Sequence, residues 1–152
     1  MKRSMTPFVI IGGISIVLGG AISAVTALSP SYTASWAVAY VVLVAGVAQL
    51  VLGIGQARLA TEQPSARVIA IEAVAFNLAH VAVVLGTVLA LTPVVFAGAA
   101  LLVIALILFV WGVRGGRTDS RVMLYGFRIM IAILIVTAPI GLVIASVKGV
   151  ST

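Results

Sequence analysis

The chain has no cysteine, three acidic residues and one histidine in 152 residues, and only 8% of it is charged. Without cysteine there are no disulfides, no thiolate metal sites and no thiol nucleophile. A single histidine cannot supply a bis-histidine haem site within one chain. Three carboxyls leave few acids or bases, and their spacing offers no paired carboxylate, no Ser–His–Asp set and no metal-ligand cluster. The expectation is a non-enzyme with neither cofactor nor metal.

What is present is apolar. At 63% hydrophobic residues the composition lies outside that of soluble globular domains, so lipid must be the solvent for much of it. Five apolar runs stand out, at about 7–28, 35–55, 68–91, 94–113 and 122–147. Each is long enough to cross a hydrocarbon core of ~30 Å at about 1.5 Å per residue. The expected fold is all-α: one polytopic bundle of five transmembrane helices over residues 1–152. Pro30, Pro64 and Pro93 fall in the short connections, where a missing N–H does no harm. Met1-Lys2-Arg3 and an AxA-like stretch at 21–27 look like a signal peptide, but the run between them is longer than an h-region. It reads as a retained first helix.

The net charge of +6 sits in the loops, which points to membrane topology and away from nucleic acid. If all five runs span, Lys2, Arg3, Arg58, Arg67, Arg114, Arg117 and Arg121 share one side, against Lys148 on the other. The positive-inside rule then places the N-terminus and the two longer loops in the cytoplasm and the C-terminus outside. The localisation that follows is a cell membrane, of the bacterial inner-membrane type. Arg114, Arg117 and Arg121 in the basic, glycine-bearing loop 114–121 are candidate contacts for anionic lipid headgroups. Trp36, Tyr32 and Trp111 lie where interfacial aromatics belong.

Small residues recur at helix-packing intervals: Ser15, Gly19, Ser23 and Ala27 every four, and Ala39, Gly46 and Gly53 every seven. Gly98, Ala105 and Gly112 repeat the second pattern 59 positions on. Such stripes let helices approach closely. Together with the echo of VLGG (17–20) in VLGT (84–87), they suggest a tandem duplication of a helical hairpin. The stretch GGISIVLGGAISAVTALSP followed by WAVAYVVLVAGVAQLVLGIGQAR, over about residues 10–58, resembles the HdeD-type acid-resistance membrane proteins. The resemblance implies an inner-membrane protein associated with acid stress and brings no catalytic site. Members of that family carry three hairpins, whereas this chain has room for five spans.

Polar groups inside the runs are the remaining candidates, because ionisable residues within a membrane are costly and face protein or water. Glu72, Asn77 and His80 share one side of the third run, within about 140° at 100° per residue. Arg128 on the fifth run matches Glu72 in depth, and the two are expected to pair. Gln49 and Tyr40 are expected to bond across helices, and Pro139 to kink the last helix. His80 could relay protons or simply bond to a neighbouring helix. Three functions follow: an accessory subunit that packs on a larger membrane complex or on itself, a small oligomeric transporter or proton-coupled channel using Glu72 and His80, or HdeD-like acid-stress protection.

Overall fold

A computed structural model describes residues 5–114 and 121–149, with side chains as far as Thr137. Among these residues the chain is all helix, without strands. Helix α1 spans Thr6–Thr26, α2 Tyr32–Leu59, α3 Ala66–Val88, α4 Thr92–Gly112 and α5 Arg121–Gly149. The first four are long and apolar enough to cross a membrane.

The helices start where the chemistry allows. Ser31 and Ser65 cap α2 and α3, their Oγ atoms accepting from Ala34 N at 3.2 Å and Val68 N at 3.3 Å. Pro7 and Pro93 occupy the first turns of α1 and α4, where no N–H is required. Helix α3 ends in a Schellman motif: Leu91 N donates to Gly86 O at 2.7 Å and Ala90 N to Thr87 O at 3.3 Å. Ala90 takes the left-handed position, φ 56°, that glycine usually fills. Helix α5 continues past Pro139, whose side chain lies outside the described set. Thr137 Oγ1 donates to Ile133 O at 2.8 Å one turn earlier.

Two of these boundaries matter for function. Helix α2 begins before residue 35, because the Ser31 cap draws the YTAS segment into it, and it runs past residue 55 to Leu59. Gln56, Ala57 and Leu59 in that extension are buried. Within α2, residues Val41–Ala48 are π-helical.

The core forms where the two antiparallel hairpins, α1–α2 and α3–α4, meet. Phe8, Phe109 and Phe76 stack edge-on in series, with ring centroids at 5.1 and 5.9 Å, among Leu52, Leu102 and Leu106. Helix α5 closes the bundle with Phe127 and Ile131. The core side chains are closely packed, and each such contact adds dispersion attraction. Glycines mark the closest approaches. A Cβ on Gly53 would collide with Phe8, and one on Gly98 would stand 2.9 Å from both Ala82 Cβ and Val83 N. The outward face is aliphatic, with Val17, Val74, Leu78 and Val136 exposed.

Candidate functional site

Among the described residues the fully or nearly buried polar side chains are Gln49, Gln56, Glu72 and His80, and all of them lie on α2 and α3. Because these helices run antiparallel, residues with rising numbers on α2 meet residues with falling numbers on α3. Gln56 meets Glu72 near one end of the seam. Its Nε2 donates to both carboxyl oxygens, at 2.9 and 3.0 Å. Tyr40 meets His80 further along, with Oη and Nδ1 3.0 Å apart.

Gly112 of α4 leaves room for the first pair, since a Cβ there would lie 2.7 Å from Gln56 Nε2 and 3.7 Å from Glu72 Oε1. The second pair is set in aromatics. Phe76 meets the His80 ring edge-on at 4.2 Å, and Trp36 stacks on Tyr40 at 5.2 Å.

The π-helical stretch accounts for the alignment on α2. In an α-helix, the interval from Tyr40 to Gln49 would turn them about 180° apart at 100° per residue. The π turns wind at about 4.4 residues each. They bring Tyr40 to within about 40° of Gln49 by that winding, and Gln56 follows one heptad later on the same face. The widened helix is what turns the Tyr40 hydroxyl to His80.

Several sequence expectations change here. Glu72 does not pair with Arg128: it is 0% exposed and bonded to Gln56, while Arg128 is on the exposed side of α5. That helix presents Phe127 and Ile131 to the core instead. Asn77 donates through Nδ2 to Ala73 O of its own helix at 2.8 Å. Tyr40 makes an interhelical bond, but Gln49 has no partner among the described residues for either side-chain polar atom. Gln56 was hidden because the apolar run ends at 55, which leaves it in an apparent loop. Its heptad spacing from Gln49 is the signal that could have found it.

The packing stripes divide. Gly19 lies against Val42 of α2, Gly46 against Ile16 and Gly12 of α1, and Gly53 against Phe8. Ser15 is half-buried, and Ser23 and Ala39 are exposed. Gly98 faces α3 and Ala105 is fully buried. Arg114 stacks over the Trp111 ring at 4.6 Å, Arg121 is exposed, and Arg117 lies outside the described residues. Among the described residues no group of three His, Cys, Asp or Glu side chains comes together to hold a metal. No family model, curated protein or solved structure matches the chain.

Proposed function

We propose that the chain is a non-catalytic integral membrane protein that works through helix contacts, as an accessory or structural subunit packed against a larger membrane complex or against itself. In this reading α5 is a fifth crossing, the N-terminus and the two longer loops are cytoplasmic, and the membrane is of the bacterial inner type.

The observation that carries the reading is the two-sided use of glycine in α1. The doublets Gly12-Gly13 and Gly19-Gly20 each give one glycine to α2 and one to the outside. Gly12 and Gly19 meet α2, whereas a Cβ on Gly13 or Gly20 would touch nothing within 4 Å. Gly13, Gly20, Ala24 and Ala27 fall within about 60° of one another at 100° per residue. Glycine facing lipid weakens a helix for no return. Glycine facing another helix allows the close approach by which membrane helices associate.

The experiment is purification in a gentle detergent with the mass read by native mass spectrometry. Larger membrane proteins in fixed ratio, or a defined homo-oligomer, support the reading. A clean monomer overturns it.

A further inference from the structure

Four buried side-chain nitrogen and oxygen atoms lack a partner among the described residues: Gln49 Nε2, Gln49 Oε1, Gln56 Oε1 and His80 Nε2. All four belong to side chains of α2 and α3. Random packing defects would scatter over five helices, and these do not. Each unpartnered polar atom in an apolar interior costs on the order of 1–3 kcal/mol. Four on two neighbouring helices therefore call for partners that fit there.

The second observation is the burial of Glu72. It is fully buried, and its donor is the neutral amide of Gln56. The surrounding elements offer no countercharge among the described residues. Helix α1 brings Phe8 to the core, α4 brings Gly112 and Phe109, and α5 brings Phe127 and Ile131, with Arg128 facing outward. On α2 and α3 the buried polar groups are Gln49, Gln56 and His80, with the part-buried Tyr40 bonded to His80. A lone carboxylate in such a place costs several kcal/mol, and a bound proton removes that charge.

The third is spacing. Glu72 and His80 lie about 12 Å apart along α3 at 1.5 Å per residue, too far for direct transfer. Gln49 stands on α2 at the level between them, with a free donor and a free acceptor. That is the pair of functions a water needs from its protein neighbours.

We propose that Glu72 is a proton-binding site served by ordered water along the α2–α3 seam, with Gln49 holding the water and His80 as a second proton station. The inference does not depend on the accessory role proposed above. The transfer conserves charge and breaks no heavy-atom bond. The Glu72 carboxyl O–H gives its proton to the first water, each water passes one on, and the last donates to His80 Nε2. In the tautomer that accepts it, Nδ1–H donates to Tyr40 Oη, so the ring becomes imidazolium as Glu72 becomes carboxylate. The reverse sequence restores both.

The test is infrared difference spectroscopy of the purified full-length chain in lipid, wild type against Glu72→Gln, in H2O and in D2O. The wild type should show a protonated-carboxyl carbonyl band that the variant lacks, and the band should shift in D2O within minutes. In Gln49→Leu the shift should slow by roughly tenfold, the factor that one lost net hydrogen bond corresponds to. Gln49→Met is the second variant should leucine disturb the fold. The wild-type exchange reads hydration without either substitution. No band means that Glu72 carries its charge, on a cation or another partner, and overturns the proposal. A band that does not shift means a dry seam and overturns it equally. Exchange unchanged in both Gln49 variants removes Gln49 from the path and overturns the relay.

Discussion

Glu72 and Gln56 are each other's only interhelical hydrogen-bond partners among the described residues, so their energetics should be strongly coupled. Gln56→Leu leaves a buried carboxyl with no donor, a loss of about 1–3 kcal/mol. Glu72→Leu strands the Gln56 amide and should cost a similar amount by the same reasoning. Replacing both removes the stranded groups together, so the double variant should be more stable than the sum of the single changes implies. Thermal melts in one detergent check this, and additive losses would show that the bond contributes little. Tyr40→Phe, which removes the hydroxyl from His80 Nδ1, should cost less, about 0.6 kcal/mol on the scale of measured bonds between membrane helices. At this scale the sequence was half legible. Glu72 and His80 stand out because a charged or titratable side chain in an apolar run is rare. Their partners did not, because partnership depends on how two helices rotate and slide against each other. Depth matching paired Glu72 with Arg128 on charge alone, but the neutral Gln56 occupies the facing position.

The helices themselves were legible from run length, and their ends less so. Hydropathy drops at Gln56 and Arg58, yet α2 continues to Leu59 because Gln56, Ala57 and Leu59 turn inward. A polar residue that faces the core and one in a loop look the same to a hydropathy window. The π-helical turns of Val41–Ala48 have no periodic signature in VVLVAGVA, and they decide which face Tyr40 presents. Two substitutions test the element ends and contacts with opposite signs. Ala90 sits at the left-handed position of a Schellman motif, where a Cβ costs about 1 kcal/mol. Ala90→Gly should therefore raise the melting temperature. Gly98→Ala should lower it, by about 1–3 kcal/mol for overpacking, since the new methyl meets Val83 N at 2.9 Å and Ala79 O at 3.0 Å. Those neighbours are backbone and have little freedom to give way. A stable Gly98→Ala variant would mean that α3 and α4 are not packed this closely.

For the whole molecule, the outer stripe of α1 and the charged loops make separable predictions. Gly13→Leu with Gly20→Leu places two large side chains where nothing lies within 4 Å of the new Cβ atoms. The fold and its melting temperature should survive while the native mass falls to that of one chain. A variant that keeps its partners would exclude this face as the contact. Orientation can be tested on the same molecule because the chain has no cysteine, so any introduced thiol is unique. If five helices cross and the positive-inside rule holds, a cysteine at Ser31, between α1 and α2, should react from outside intact cells with a membrane-impermeant maleimide. One at Ser65, between α2 and α3, should react only after permeabilisation. A cysteine appended after Thr152 should behave like Ser31. Labelling there only after permeabilisation, with Ser31 and Ser65 as expected, would mean that α5 returns along the cytoplasmic face. The same pattern would move Lys148 to the inner side, and the orientation would then rest on the loops of the first four helices alone.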